Sequence, residues 1–186
     1  IEVGTEKYWK YTENISLPRI IFVNKLDKEN ANFNQVVSDL HIDFSKKIIP
    51  LTLTLGEGEN FEGLIDVIDK KAFKYVDGKV EEVEIPEIRV EEVNAVYEEI
   101  QEVVAESDDE LMDKYFSGES FTEEEFKEGF RKAIINGNAV PLVAGSLEKN
   151  IGLDLLMDVI TKYMPSPDHK AANIGFRVTD DYEEFE

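Results

Sequence analysis

The sequence predicts an α/β fold, namely half of a parallel β-sheet sandwich that is interrupted by a small α+β insert. Two short apolar runs, at residues 20–23 and 139–144, predict buried strands of this sheet, because strands covered on both faces are hydrophobic without alternation. Between them, Asp77 and Gly78 separate two strand-like segments and predict a β-hairpin, since both turn positions tolerate a positive φ. Helical spacing of apolar residues elsewhere completes the α/β pattern.

These patterns also predict how the chain is divided. We expect residues 1–47 and 139–165 to form the partial sandwich and residues 48–138 to form the insert. Residues 166–186 are expected to be a linker and the start of a following β domain. A chain of 186 residues is long enough for one core with a small satellite unit.

A helix and a strand open the partial sandwich. The helix is predicted to begin with Thr5 as its N-cap and to turn Tyr8, Tyr11 and Ile15 towards the same side. The strand at residues 20–23 should be buried on both faces.

A second helix follows this strand. Asn32 and Gln35 have the spacing of a capping box, in which each of the two side chains bonds to the other residue's backbone N–H. Apolar residues then recur at helical spacing, at Phe33, Val36, Val37, Leu40 and Phe44. This helix should cover one face of the strand.

The insert should begin with strands. Residues 48–55 mostly alternate between apolar and polar side chains and predict one strand. The hairpin has its strands at residues 72–76 and 80–85, on either side of its turn. Gly56-Glu57-Gly58 predicts a turn rather than a phosphate-binding loop, because its flanking glutamates would repel a phosphate.

The rest of the insert should be helical. One long helix has an apolar stripe that should pack in the core, made of Val93, Val96, Tyr97, Ile100, Val103 and Val104. Two further helices should begin at capping boxes, Ser107 with Glu110 and Thr122 with Glu125. Each of these helices should end near a glycine, at Gly118 or Gly137.

The strand at residues 139–144 should return the chain to the sandwich. The simplest topology places it parallel to residues 20–23, so that the residues following the two strands emerge side by side. A final helix over residues 153–163 closes this part of the chain. Its inward face is predicted at Leu153, Leu156, Met157 and Ile160.

Asn24, Lys25 and Asp27 directly follow the first predicted strand, at the edge where open parallel sheets bind ligands. The Asp27 carboxylate can accept two parallel N–H bonds, and a guanine base offers such a pair at N1 and N2 whereas adenine does not. The stem of Lys25 is long enough to lie against a purine ring, and Asn24 can bridge the base edge and a neighbouring loop. The chemistry therefore favours a guanine site.

This Asn-Lys-x-Asp pattern resembles the guanine-specificity motif of the P-loop GTPases. Further segments resemble bacterial elongation factor G, occur in that family's order and cover nearly the whole chain: Val3-Gly4-Thr5-Glu6-Lys7, Pro18 to Asp27, Gly56-Glu57-Gly58-Glu59-Asn60-Phe61, Asp109 to Tyr115, Gly145-Ser146 and Lys149-Asn150-Ile151-Gly152. The resemblance implies that the partial sandwich is the C-terminal half of a P-loop GTPase-type sheet.

The resemblance also assigns roles outside this motif. The family has a loop, here at Ser146 and Leu147, in which the serine hydroxyl supports the aspartate and a backbone N–H donates to guanine O6. Leu147 stands where the family usually has alanine, a change that leaves the backbone donor in place. In the family, an acidic helix of the insert is associated with the mobile stalk protein of the ribosome. The matching candidates are Glu91, Glu98 and Glu102.

The chain contains no Gly-x-x-x-x-Gly-Lys-Ser/Thr phosphate loop, no Asp-Pro-Gly switch for magnesium and no threonine switch ahead of it. By resemblance, these parts lie upstream of Ile1 in a parent protein that binds GTP or GDP with Mg²⁺ and hydrolyses GTP. This parent would be a cytoplasmic translation elongation factor that promotes ribosomal translocation. We expect no catalytic or metal-binding residue in this span, and no GTP hydrolysis by the span alone.

The composition argues against several functions. With 20 basic and 41 acidic residues the formal net charge is −21, so the span should not grip nucleic acid through its phosphates. The chain has no cysteine, and no apolar run of about 18 residues that could cross a membrane. Two alternatives remain open, namely an acidic protein-interaction module without nucleotide binding and a ribosomal-protection or release-factor GTPase.

Overall fold

A computed structural model of the chain describes residues 1–44, 47–76, 78–166, 175–177 and 183–185. In chain order its elements are α1 (Val3–Asn14), β1 (Ile21–Val23), α2 (Phe33–Asp43), β2 (Ile48–Pro50), β3 (Thr52–Leu55), β4 (Gly63–Asp66), β5 (Lys71–Val76), β6 (Lys79–Val83), α3 (Glu87–Ala105), α4 (Asp109–Ser117), α5 (Glu123–Ile135), β7 (Val140–Ala144), α6 (Leu153–Tyr163), β8 (Gly175–Arg177) and β9 (Glu183–Phe185). One parallel and one antiparallel sheet form the centre of this architecture, which confirms the predicted α/β fold.

Within the described residues, β1, β7 and β2 form a parallel sheet in that order. Ile21 pairs with Leu142 on one side of β7, and Ile48 pairs with Val140 on the other side. The predicted parallel pairing of the first and last apolar runs is therefore confirmed. The residues of β7 are all buried, but β1 is only half-buried because it lies at an edge of the described sheet. The predicted burial of β1 on both faces is thus wrong.

The first helix, α1, begins earlier than predicted, and its buried residue is Trp9. Its N-cap is Glu2, whose side chain makes no capping bond, so the predicted cap at Thr5 is wrong. Trp9 is buried and its ring stacks on Phe44 with the centroids 4.8 Å apart, because the large indole gains most from leaving water. The three residues that were predicted to share one side of the helix are all exposed, namely Tyr8, Tyr11 and Ile15.

The second helix, α2, has the predicted core face. Phe33 and Leu40 are buried, and the Asn32 side chain caps the helix by accepting the Gln35 N–H at 2.8 Å. The predicted capping box is only half formed, because the Gln35 side chain donates to Asp39 at 2.7 Å instead of returning to the cap.

The single strand predicted over residues 48–55 is in fact two strands in two different sheets. β2 pairs with β7 in the parallel sheet, whereas β3 pairs antiparallel with β4. Between them the Leu51 N–H donates to the Leu142 carbonyl at 2.8 Å, and Thr52 Oγ1 accepts the buried Ala144 N–H at 2.8 Å. The Thr52 side chain thus continues the hydrogen-bond ladder where the chain leaves the parallel sheet.

β2 belongs to the parallel sheet, whereas the predicted division of the chain placed it in the insert. The rest of that division stays a prediction.

The antiparallel sheet of the insert contains β3, β4, β5 and β6 in chain order. The predicted hairpin is confirmed by the pairing of β5 with β6. In its turn Gly78 has a φ of 75°, while Asp77 lies outside the described residues. The predicted glycine turn leads into a single 3-10 turn at Gly58–Asn60. Gly56 has a φ of 81°, and a Cβ there would lie 1.9 Å from the Asn60 carbonyl oxygen, so this turn requires glycine.

The three helices of the insert confirm most of the predicted pattern. The apolar stripe of α3 is buried or half-buried throughout, at Val93, Val96, Tyr97, Ile100, Val103 and Val104. The capping box of Thr122 with Glu125 is present at the start of α5. At the start of α4 the predicted cap at Ser107 is wrong, because the neighbouring Asp108 side chain accepts the Glu110 N–H at 3.1 Å. A carboxylate is the stronger acceptor of these two adjacent candidates.

The last helix, α6, has the predicted bounds but presents a different apolar side to the core. Its buried residues are Leu155, Val159 and Tyr163. Of the predicted inward residues, Leu156 is half-buried, whereas three are exposed, namely Leu153, Met157 and Ile160. The helix is apolar on both sides, and contact with the insert selects one of them. The Tyr163 ring packs edge-on against Phe130 of α5, with the centroids 5.4 Å apart.

The insert and the parallel sheet share one hydrophobic core among the described residues. Two hydrogen bonds also join the insert to α6. The Tyr75 hydroxyl donates to Asp154 at 2.6 Å, and the Arg131 guanidinium donates to the Lys162 carbonyl at 2.8 Å. The insert is therefore attached to the sheet by apolar packing and by polar contacts at several points.

Outside these two sheets, β8 and β9 form an antiparallel pair. The pair lies in the stretch that is predicted to be a linker and the start of a following domain. In the described part of the chain, no helix combines the length and the hydrophobicity needed to cross a membrane.

Candidate functional site

The loops that follow β1 and β7 meet at one edge of the parallel sheet, as predicted, and we call this region the loop edge (residues 24–28 and 145–151). The pairing of Val23 with Ala144 continues past the strands. The Gly145 N–H donates to the Val23 carbonyl at 2.9 Å, and the Leu26 N–H donates to the Gly145 carbonyl at 3.3 Å. A Cβ on Gly145 would lie 2.6 Å from the Phe22 ring, so glycine permits this close approach.

Asn24 links the two loops. Its Oδ1 accepts the Lys25 N–H at 2.8 Å and the Leu147 N–H at 3.0 Å. Lys25 has a φ of 64°, a left-handed conformation that costs a non-glycine residue about 1–2 kcal/mol and is common at functional sites. The bond from its own N–H to Asn24 helps to hold Lys25 in this conformation, and Lys25 is exposed.

Asp27 is the buried acid of the loop edge, with only 4% of its side chain exposed. Its Oδ2 lies 3.3 Å from the Lys28 ammonium, and its Oδ1 has no hydrogen-bond partner among the described residues. The nearby Ser146 hydroxyl lowers the pKa of Asp27 most strongly; burial opposes this effect and Lys28 adds to it. Asp27 is therefore ionised at neutral pH, and its Oδ1 keeps accepting capacity that the described residues do not use.

Ser146 is fully buried, whereas Leu147 is 46% exposed. Ser146 and Ile151 exchange backbone hydrogen bonds of 3.0 and 2.9 Å, and Ser146 Oγ accepts the Lys149 N–H at 3.3 Å. The Leu147 N–H, which the resemblance assigns to guanine O6, donates to Asn24 in this arrangement. A base contact from Leu147 therefore requires that this N–H turns away from Asn24 or is shared with it.

Two charged residues at the loop edge were missed by the sequence reasoning. The Lys28 ammonium lies 2.6 Å from Glu148 Oε2 as well as 3.3 Å from Asp27 Oδ2. Lys28 directly follows Asp27, and Glu148 directly follows Leu147. The sequence did contain a signal for this contact. The two opposite charges lie just beyond two strands that are expected to be neighbours.

The predicted partner-binding residues belong to the insert rather than to the loop edge. Glu91, Glu98 and Glu102 are exposed, and their spacing of seven and four residues places them on one side of α3. We call them the acidic strip. Glu102 Oε1 also accepts a long hydrogen bond from the Tyr115 hydroxyl, at 3.4 Å.

The loop edge can bind a planar ligand that offers adjacent N–H groups. Asp27 supplies one unpartnered oxygen and a second oxygen that keeps accepting capacity beside Lys28. The exposed Lys25 provides an aliphatic stem close by. No group of three or more histidine, aspartate or glutamate side chains in the described ranges could hold a metal ion.

The parallel sheet, the polar loops at its carboxyl edge and the packed insert define an α/β protein of the P-loop GTPase type. The sequence matches the family described as the elongation factor Tu GTP binding domain over residues 1–166. The chain belongs to this family.

Known proteins that resemble the chain agree with this assignment. The elongation factor G-like protein of Thermotoga maritima is 41% identical over 172 residues, which are 90% of this chain and 24% of that protein. A crystal structure of a Thermus thermophilus protein is 36% identical with a TM-score of 0.82, and the match covers 90% of this chain and 25% of that one. The predicted resemblance to elongation factor G is therefore confirmed. The chain spans about a quarter of the length of these relatives.

Proposed function

We propose that this chain is the guanine-recognition half of the GTPase domain in a translational GTPase of the elongation factor G type. The observation that carries the proposal is the buried Asp27 carboxylate, whose Oδ1 has no partner in the described residues. Its two oxygens would accept the N1–H and N2–H of guanine. Membership of a GTP-binding family supports GTP and GDP as the ligands.

The surrounding residues have distinct roles in this proposal. Asn24 holds the two loops together, and the stem of Lys25 covers one face of the base. Ser146 keeps Asp27 ionised, and the Leu147 N–H reaches guanine O6 when it is released from Asn24. These residues bind and orient the base, and none of them is assigned a catalytic role.

The remainder of a longer protein would supply the phosphate-binding loop, the site for Mg²⁺ and GTP hydrolysis. This division of labour is supported by the length of the Thermotoga maritima relative, of which the chain covers 24%. The span alone is then inactive as a GTPase. In the longer protein, which works in the cytoplasm, GTP hydrolysis promotes the movement of tRNA and mRNA on the ribosome. The elongation factor G-like relative favours this role over that of a ribosomal-protection or release factor.

The acidic strip of α3 is the proposed contact for the mobile stalk protein of the ribosome. Its three exposed carboxylates attract a basic surface, and the formal net charge of −21 strengthens the attraction. Exchange of all three glutamates for glutamine should slow association with the stalk protein at low salt and change dissociation little. A matched control removes three exposed glutamates elsewhere, namely Glu57, Glu59 and Glu81. An unchanged association rate would argue against the acidic strip as the contact for the stalk protein.

Asp27→Asn in the longer protein tests base recognition. Asparagine can donate to the second carbonyl of xanthine, whereas aspartate can only accept from guanine. GTP affinity should fall about 10- to 100-fold while affinity for xanthosine triphosphate rises, as measured by nucleotide competition. Asp113→Asn, at an exposed position of α4, is the matched control and should bind both nucleotides as the wild type does. An unchanged preference for GTP would remove Asp27 from the base site.

A further inference from the structure

A lysine lies between two carboxylates at the loop edge. Lys28 Nζ is 3.3 Å from Asp27 Oδ2 and 2.6 Å from Glu148 Oε2. Asp27 belongs to the loop after β1 and Glu148 to the loop after β7, so this ammonium joins segments that are 120 positions apart. It forms a second link between the loops, in addition to the hydrogen bond from Leu147 to Asn24.

The three side chains of this contact are buried to different extents. The exposed fraction of the side chain is 71% for Glu148, 50% for Lys28 and 4% for Asp27. The ammonium is thus hydrated on one side and faces a largely dehydrated carboxylate on the other. Water screens this contact less than it screens an ion pair between two exposed side chains. The contact of Lys28 with Asp27 is therefore longer than its contact with Glu148 but is screened less by water.

We propose that Lys28 and Glu148 form a clasp that positions Asp27 for a guanine base, an inference that rests on the proposed function. Lys28 holds Oδ2 and so fixes the orientation of the carboxylate, while Oδ1 stays unengaged. Glu148 keeps the ammonium over the carboxylate instead of in the solvent. Neither side chain needs to touch the base, so both are positioning residues.

The clasp leaves room for the ligand. A carboxylate oxygen can accept from more than one donor, so Oδ2 can bond to Lys28 and to a guanine N–H together, and Oδ1 has no partner in the described chain. The ammonium also offsets the burial of Asp27, because Lys28 lowers the pKa of that carboxyl together with the Ser146 hydroxyl. A protonated carboxyl would have lost one of its acceptors. Lys28 thus supplies both orientation and charge.

The test compares GDP binding by the full-length protein and by its Lys28→Gln, Glu148→Gln and double variants, using isothermal titration calorimetry. Lys28→Gln should weaken GDP binding about three- to tenfold and Glu148→Gln about two- to fivefold, the range expected of partly exposed ion pairs. Because Glu148 acts through Lys28, the double variant should bind no more weakly than Lys28→Gln alone. Lys28→Arg, which keeps the charge, should restore most of the affinity.

A pH profile distinguishes the clasp from a general loosening of the loops. GDP affinity should fall as the pH drops through the pKa of Asp27. Since Lys28 lowers this pKa, the fall should begin at a higher pH in Lys28→Gln than in the wild type. A loss of equal size at every pH would indicate loosened loops and would overturn the clasp.

Two further variants complete the design. Lys71→Gln is the matched control, because Lys71 forms an ion pair with Glu82 at the same 3.3 Å but in the hairpin, and its GDP affinity should equal that of the wild type. Asp27→Ala separates the two hypotheses. If it leaves GDP affinity unchanged, the proposed function fails and the clasp fails with it. If Asp27→Ala abolishes binding while Lys28→Gln binds GDP as tightly as the wild type or more tightly, only the clasp is wrong.

Discussion

Two lysine–carboxylate pairs, one in the insert and one at the loop edge, show how similar contacts can serve different purposes. At the start of α5, Glu125 accepts from Lys114 and from the Thr122 N–H, so the carboxylate completes a capping box. At the loop edge Asp27 also faces a lysine, but it is buried and keeps one oxygen without a partner among the described residues. Both carboxyl groups have lowered pKa values. A lysine contact and a shifted pKa therefore do not by themselves distinguish the two regions, whereas the unfilled buried acceptor is found at Asp27 and not at Glu125.

The contrast extends to the surroundings of the two pairs. The insert contains an aromatic cluster that it shares with α6. The cluster consists of Phe126 and Phe130 of α5 and Tyr163 of α6. The loop edge combines a left-handed lysine with polar side chains that join two loops. Changes in the insert should therefore alter stability and leave base affinity unchanged, and changes at the loop edge should do the reverse.

The largest effect is expected from Phe130→Ala in the insert. Phe130 is fully buried, and loss of its ring should lower the free energy of unfolding by about 3–5 kcal/mol in urea denaturation. The GDP affinity of the folded protein should stay at the wild-type value. Phe116→Ala is the control, because this ring is 79% exposed and should contribute much less to stability. A weakened GDP affinity in folded Phe130→Ala protein would break the contrast between the two regions.

An intermediate effect is expected from Ser146→Ala at the loop edge. The hydroxyl contributes most to lowering the pKa of Asp27, so its loss should raise that pKa. GDP binding should weaken about three- to tenfold, and on acidification it should be lost at a higher pH than in the wild type. Calorimetric titrations at several pH values would measure both effects. Ser38→Ala, on the exposed surface of α2, should show neither effect. An unshifted pH profile would mean that Ser146 does not act through Asp27.

The smallest effect is expected from Glu125→Gln in the insert. Lys114 and the Thr122 N–H lower the pKa of Glu125 from its ordinary value of 4.5 to about 2. The stabilisation from this group is therefore present above the ordinary value and is lost as the pH falls towards about 2. Thermal denaturation should show a slightly lower Tm for the variant than for the wild type at neutral pH. Near pH 2 the two proteins should have the same Tm. A Tm difference that persists on acidification would show that the charge of Glu125 is not responsible.

Much of the architecture could be predicted because local signals agreed with the simplest topology. The hairpin followed from one turn dipeptide between two strand-like segments, and the pairing of β1 with β7 followed from two continuous apolar runs. This pairing in turn brings Asn24 and Asp27 close to Ser146 and Leu147. Their contacts with a base stay predictions.

The errors arose where two local solutions compete and tertiary packing decides between them. α6 is apolar on both sides, so periodicity alone could not select the side that packs against the insert. Ser107 and Asp108 are both good N-caps, and only the geometry shows which one is used. Leu51 continues the alternating pattern of Leu53 and Leu55, which hides the point where the chain passes from one sheet to the other. The contact of Lys28 with Glu148 is long-range and has no periodic signal.

The passage at Leu51 has a mechanical consequence. This single residue separates β2 from β3, and the chain on both sides of it is hydrogen-bonded to β7, through Leu142 and Ala144. A joint that is so short and so fully bonded has no residues free to act as a hinge. At this joint, a displacement of β3 would be passed on to the end of β7, next to Gly145. Movement of β3 relative to the parallel sheet would therefore strain the hydrogen bonds that Leu51 and Thr52 make with β7.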